Sequence, residues 1–78
     1  MDSIIEYFPD GGGITCYGIF DKLDDAEEFL RSQGWQKAEG GFLRWVPGAE
    51  MGNDHTWAEI RAYSGLPVLS PESFPRDR

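Results

Sequence analysis

His55 is the only histidine in this 78-residue sequence, and with Asp54 beside it and Glu59 four residues later it suggests a carboxylate–histidine pair. General acid–base catalysis needs such groups to converge on one point. Asp54 and His55 are neighbours in a glycine-rich loop, whereas His55 and Glu59 would fall on different sides of a strand. We therefore predict a surface histidine, and we do not expect an enzyme.

Cys16 is the only cysteine, and no histidine or basic residue lies near it in sequence to lower the pKa of its thiol. A small buried side chain is therefore a better interpretation than a nucleophile. Gly11, Gly12 and Gly13 lack the Gly-Lys-Ser/Thr ending of a phosphate loop and precede a strand rather than a helix. The run "DDAEE" lies in a predicted helix, without the spacing or central glycine of an EF-hand. We predict no catalytic residue, no metal and no cofactor.

Carboxylates are the chemical group that this sequence does concentrate. Five of the eight residues from 21 to 28 are acidic: Asp21, Asp24, Asp25, Glu27 and Glu28. Because duplex DNA presents one negative charge per roughly 1.7 Å of its axis, a row of fixed carboxylates could occupy a Lys/Arg-lined groove that normally holds nucleic acid. Acidic residues in a first helical turn also interact favourably with the helix dipole, by about 0.3 to 1 kcal/mol each. That interaction explains part of the pattern without any function.

The net charge of −7 arises in the first 30 residues, where eight acidic residues accompany Lys22 alone. The rest of the chain holds six acidic and six basic residues. Lys and Arg drive non-specific binding to phosphates, so direct nucleic-acid binding is not expected. A basic protein surface is the expected partner. The simpler alternative, that negative charge only keeps a small protein in solution, stays open.

The segment "DKLDDAEEFLRSQGW", residues 21–35, carries these carboxylates on a predicted helix. Asp21 is the predicted N-cap, and Asp24 takes the position of a capping-box glutamate. Apolar residues at helical spacing form the buried stripe: Leu23, Ala26, Phe29 and Leu30. Gly34 suits the left-handed position after the helix, where Trp35 can pack on Leu30.

Four strands are predicted around this helix. They are residues 3–8, 14–20, 41–46 and 56–63, and a five-residue turn from Pro9 to Gly13 joins the first two as a hairpin. In the second strand, Ile14, Cys16, Gly18 and Phe20 are predicted on one side, with Thr15, Tyr17 and Ile19 on the other. Residues 47–55 are predicted to form a loop. The resulting class is α+β in the order ββαββ, with a four-stranded, antiparallel-rich sheet and the helix on one face.

One helix cannot shield both faces of such a sheet, so the second face needs another cover. We consider the C-terminal tail, a second copy of the chain, or a partner. From Ser64 onward the tail has no periodicity, and it could cover part of the sheet through Leu66, Val68, Leu69 and Phe74 before fraying after Pro75. Trp57 and Tyr63, with Trp45 or Tyr17, are the aromatic residues expected on that face, as core or as interface residues.

The chain is long enough for one small domain, residues 1–78, with an ordered core of about 3–74. Its apolar runs reach only two or three residues, too short for a membrane span or a secretory signal. One cysteine cannot form an internal disulfide. A cytoplasmic protein without membrane association is expected, as a monomer or a homodimer.

Small size, acidity, the helix "DDAEEFLRSQGW" beside strands such as "GFLRWV" and "TWAEIRAY", and the lack of catalytic machinery are shared with one class of proteins. In these features the chain resembles the anti-CRISPR proteins of phages and mobile elements, particularly inhibitors of type I systems. The resemblance extends over most of residues 3–63 and is one of general character. It implies binding to the DNA-handling surface of a Cascade-type complex in a bacterial cytoplasm, blocking target recognition by occlusion or charge mimicry.

Three hypotheses follow from these observations. The first is a non-enzymatic inhibitor that sets Asp21, Asp24, Asp25, Glu27 and Glu28 against a basic partner. The second is a structural or regulatory interaction module, such as a homodimer that pairs sheet faces or edges through Trp57 and Tyr63. The third is a small nuclease-like or toxin-like enzyme, which would need His55.

Overall fold

The computed structural model describes residues 2–9, 11–38, 44–47 and 56–75. The elements within them are β1 (Ser3–Phe8), β2 (Thr15–Phe20), α1 (Leu23–Ser32), β3 (Trp35–Lys37), β4 (Arg44–Pro47), β5 (Trp57–Ala62) and a 3-10 helix (Pro71–Ser73). In this part of the chain, no helix is long and apolar enough to cross a bilayer.

All five strands form one antiparallel sheet in the spatial order β2-β1-β5-β4-β3. The longest pairing joins β1 to β5, from Ser3 opposite Ala62 to Phe8 opposite Trp57. The predicted α+β class is confirmed, and the sheet has five strands where four were predicted. The additional strand, β3, has only three residues, too few to show the alternation that identifies a strand in sequence.

The predicted strands shift by a few residues at their ends. The first is confirmed at Ser3–Phe8, the second begins one residue later than predicted, and the last two become Arg44–Pro47 and Trp57–Ala62. Residues 41–43, 48–55 and 76–78 lie outside the described residues, and with them Asp54, His55 and the predicted frayed end.

α1 begins one residue later than its predicted cap requires. Lys22 is the extended N-cap residue, and its carbonyl accepts the backbone N–H groups of Asp25 and Ala26. No side chain caps this end, so the prediction that Asp21 is the N-cap is wrong. Asp21 precedes the N-cap position, from which a side chain bonds the N–H groups of the first turn.

The end of α1 agrees with its prediction. Gly34 has a φ of 90°, in the left-handed region that glycine adopts without strain, and its N–H donates to the carbonyl of Arg31. Leu30 and Trp35 belong to the same buried cluster. Ala26 is buried as predicted, whereas Leu23 at the first turn is exposed.

The core lies between α1 and the face of the sheet beneath it, the inner face. Its buried residues are Ile5, Tyr17, Ala26, Leu30, Trp35, Trp45, Ala58 and Phe74. Each large apolar side chain buried there stabilises the fold by roughly 1.5 to 3 kcal/mol. The predicted alternation of β2 fails at its end, because a register shift between Ser3 and Ile4 lets both Tyr17 and Phe20 reach this core. Phe20 packs against Phe29 of α1 at a ring distance of 5.5 Å.

The C-terminal tail follows the β2 edge before it enters the core. Leu69 exchanges two backbone hydrogen bonds with β2, one from Gly18 and one to Cys16. Phe74 then inserts among four aromatic rings at centroid distances of 5.2 to 5.8 Å: Tyr7, Tyr17, Phe29 and Trp35. Phe74 therefore packs on the inner face with α1, not on the second face where the tail was predicted, while Leu66 and Leu69 remain exposed. Tyr17 and Trp45, also expected on that second face, are buried in the same core.

Candidate partner-binding surfaces

Four exposed carboxylates on α1 and immediately before it form what we call the acidic surface: Asp21, Asp24, Asp25 and Glu28. Asp24 and Asp25 stand in the first helical turn, and Glu28 lies one turn further along. Among the described residues, no Lys or Arg forms an ion pair with any of the four. This surface therefore presents negative charge to the solvent.

Glu27 differs from the other four predicted residues. Its side chain is 19% exposed, with Lys37 Nζ at 3.6 Å and the Arg31 guanidinium at 4.0 Å. Lys37 lies on β3, so this contact also ties α1 to the edge of the sheet. Glu27 is thus neutralised by the chain's own cations, and the structure places it apart from the acidic surface.

The spacing of the acidic surface opposes helix stability at one position. Glu28 lies four residues after Asp24 and three after Asp25, and like charges at these spacings repel by roughly 0.2 to 0.5 kcal/mol per pair. The helix dipole compensates Asp24 and Asp25, because carboxylates near the N-terminus are stabilised by about 0.3 to 1 kcal/mol each. Glu28 lies beyond the first turn, so capping and dipole effects do not account for its charge.

The face of the sheet opposite α1, the outer face, carries charged and aromatic side chains in matched contacts. Trp57 on β5 stacks on Phe8 with ring centroids 5.0 Å apart and planes 12° from parallel. The Arg44 guanidinium lies 4.4 Å from the Trp57 ring centroid. Since β5 runs between β1 and β4, Phe8 and Arg44 approach the indole from opposite sides. Trp57 Nε1 also donates a hydrogen bond to Glu59 at 3.3 Å.

Arg61 holds the second contact network of the outer face. Glu6 and Glu59 stand directly opposite each other on β1 and β5, where like charges are destabilising. Arg61 Nε lies 2.8 Å from Glu6 and its terminal nitrogen 3.0 Å from Glu59. The hydrogen bond to Glu59 and the negative charge of both carboxylates raise the pKa of Arg61 above its already high usual value. The pair of carboxylates is thereby bridged within the chain.

Tyr63 follows β5 and does not extend the Trp57 cluster. Its backbone N–H donates to the carbonyl of Asp2 at 2.9 Å, and its side chain is partly exposed. Tyr63 lies six positions after Trp57, about 20 Å along an extended strand. The two predicted aromatic site residues therefore occupy opposite ends of β5.

Cys16 faces Glu6 across the β1–β2 pair. Partial burial, and secondarily the charge of Glu6, raise the pKa of its thiol. The thiol is therefore protonated at neutral pH, which disfavours nucleophilic chemistry. Within the described ranges, no group of three or more His, Cys, Asp and Glu side chains is placed to hold a metal ion.

The contacts of Arg61 and Arg44 were not anticipated from the sequence. The period-two spacing of Trp57, Glu59 and Arg61 places them on one face, but their partners lie on neighbouring strands whose register the sequence does not supply. The molecule thus combines an unpaired acidic surface with a charge-matched outer face. No protein-family model matches the chain, and no curated protein or solved structure matches it.

Proposed function

We propose that this protein is a non-enzymatic inhibitor that binds a basic, nucleic-acid-handling surface of a protein complex, and that a type I CRISPR effector complex is that partner. The supporting observation is the acidic surface, whose four exposed carboxylates have no ion-pair partner among the described residues. On the outer face, by contrast, Glu6 and Glu59 both contact Arg61.

The geometry of α1 suits a groove that accepts a nucleic-acid backbone. From Asp24 to Glu28 the helix rises about 6 Å and presents three exposed carboxylates. That density is within about a factor of two of the one charge per roughly 1.7 Å along duplex DNA. Lys and Arg side chains that bind phosphates can also form charge-assisted hydrogen bonds with carboxylates. The protein would therefore compete with target DNA for the same cationic groove.

The alternative of an interaction module acting through Trp57 and Tyr63 has less support. Phe8 and Arg44 occupy both sides of the Trp57 indole, and its N–H already has an acceptor. An aromatic hot spot needs a ring that a partner can bury. Tyr63 retains an exposed ring, but it stands apart from Trp57.

Two charge-matched double variants test the proposal. The first, Asp24→Asn with Glu28→Gln, removes two charges from the acidic surface. The control, Asp2→Asn with Glu72→Gln, makes the same chemical changes at exposed positions outside α1. The measurement is target-DNA binding by a purified type I effector complex, by fluorescence anisotropy, with increasing amounts of each variant at 50 and 300 mM salt.

We expect the helix variant to inhibit at least tenfold more weakly than the parent at 50 mM salt, and the control to stay within twofold. Raising the salt should weaken the parent more than the helix variant, because fewer charge contacts remain to be screened. Equal losses in both variants, or no inhibition by the parent protein, would refute the proposal.

A further inference from the structure

An apolar groove lies between β2 and the C-terminal tail, on the side of the sheet away from the acidic surface. It has a volume of about 600 Å³, and its lining includes Ile14, Cys16, Leu66, Val68 and Leu69. The tail is fixed beside β2 by the two backbone hydrogen bonds of Leu69. The groove is therefore built by the fold of the chain and does not depend on the acidic helix.

Three of the six exposed large hydrophobic side chains among the described residues line the groove. Ile14 is 62% exposed, Leu66 53% and Leu69 49%. Single exposed apolar side chains are ordinary on protein surfaces, but several that converge on one groove indicate an interaction site. Burying them would contribute about 25 cal/mol for each Å² of apolar surface removed from water.

The charge of the groove indicates what occupies it. Among the described residues that line it, Glu6 is the only charged one, and Arg61 Nε lies 2.8 Å from that carboxylate. The described lining is thus neutral when Arg61 is counted with it, on a chain whose net charge is −7. Two copies of such a chain repel each other over most orientations, and a neutral apolar surface minimises that repulsion.

We propose that this groove is a self-association surface, at which two copies bury Ile14, Leu66 and Leu69 against each other. A twofold arrangement lets the same patch serve both copies. Because α1 packs on the inner face and Glu6 and Cys16 lie on the outer face, each copy keeps its acidic surface exposed. Pro67 and Pro71 bracket Leu69 on the tail, and proline cannot donate to a strand ladder, so side chains rather than an added strand make the contact.

The dimer formed in this way is weak and reversible. A stable interface usually buries about 800 Å² per partner, and the groove supplies only part of that area. Association therefore depends on protein concentration. It concerns the protein alone and does not require the proposed inhibitor function, so either proposal can fail without the other.

Sedimentation velocity from 10 µM to 1 mM tests association, with Leu66→Gln as the variant. The matched control is Leu23→Gln, because Leu23 is 52% exposed and does not line the groove. We expect the parent and the control to shift toward a dimer as concentration rises, and Leu66→Gln to require at least tenfold higher concentration. Ile14→Gln provides a second groove variant with the same expectation.

Cys16 locates the contact, because it is the only thiol in the chain and lies in the groove. Its labelling by a maleimide should slow at least threefold between 10 µM and 1 mM in the parent, and not in Leu66→Gln. A monomer at all concentrations overturns the proposal. So does a dimer that Leu23→Gln weakens equally, or one that leaves Cys16 labelling unchanged. If Leu66→Gln reduces inhibition of an effector complex while the parent stays monomeric, the groove binds that partner rather than a second copy.

Discussion

The acidic surface of α1 and the outer face of the sheet both expose charged side chains, but they use them differently. On the outer face, Arg61 bridges two glutamates and Arg44 lies on Trp57. On the acidic surface, three carboxylates of α1 and Asp21 just before it stand without a cation from the described residues. Paired charges act within the fold, whereas unpaired charges remain available to another molecule. The first region therefore stabilises the fold, and we propose that the second binds the partner.

The strongest test of this comparison is Trp57→Ala. The variant removes the ring between Phe8 and Arg44, so we expect it to lower the free energy of unfolding by about 2 kcal/mol, below the range for a fully buried tryptophan. Tyr63→Ala is the control and should cost less than about 1 kcal/mol, because surface substitutions without special contacts have small effects. Urea denaturation followed by far-UV circular dichroism measures both.

The same two variants separate stability from binding. Under the comparison, folded Trp57→Ala inhibits an effector complex as well as the parent does. If Trp57→Ala instead keeps the stability of the parent but loses inhibition or self-association, the interaction module with Trp57 at its centre is supported.

Arg61→Met gives the next effect in size. It leaves Glu6 and Glu59 opposite each other without a bridging cation, so we expect a lower Tm. Adding Glu59→Gln removes the repulsion and should restore part of the lost Tm. The pKa of Arg61 is raised in the folded protein. Its contribution to stability is therefore complete below the pKa of the unfolded state and is lost only as the pH rises through the folded-state pKa. The stabilisation by Arg61 itself should therefore not depend on pH between 6 and 9. If the second substitution lowers Tm further, Arg61 does not act by separating the carboxylates.

Local patterns in the sequence predicted most of the fold. Most of the buried stripe of α1, Gly34 at its end, and the hairpin of β1 and β2 all depend on residues close together in the chain, although Leu23 of that stripe is exposed. The strand β3 and the start of α1 were missed for opposite reasons. A three-residue strand has no pattern, whereas Asp21 has a typical capping residue type at a position one residue too early.

The candidate binding surfaces were less predictable, since they depend on contacts between distant segments. The sequence near Glu27 and Glu28 does not distinguish them, because the spacing of Arg31 puts it within reach of both. The difference arises because β3 places Lys37 beside Glu27 alone. In the same way, the groove beside Cys16 exists only because the tail returns to the β2 edge some fifty residues later.

This neighbouring pair of glutamates provides the smallest and most discriminating prediction. Glu27→Gln removes a carboxylate that Lys37 and Arg31 attract, so we expect it to lower the free energy of unfolding by about 0.5 kcal/mol. Glu28→Gln removes one that Asp24 and Asp25 repel, so it should raise that free energy by a similar amount. The two variants make the same chemical change one residue apart, and each serves as the control of the other.

Urea denaturation at low salt should therefore shift the two midpoints in opposite directions, and 1 M salt should reduce both shifts because it screens exposed charges. Inhibition should rank the two variants the other way round from stability, since Glu28→Gln should weaken binding to a basic groove more than Glu27→Gln does. Shifts of the same sign would show that Glu27 and Glu28 have equivalent environments, and the distinction between paired and unpaired carboxylates on α1 would then be wrong. Opposite shifts with equal inhibition would retain that distinction for stability but remove Glu28 from the binding surface.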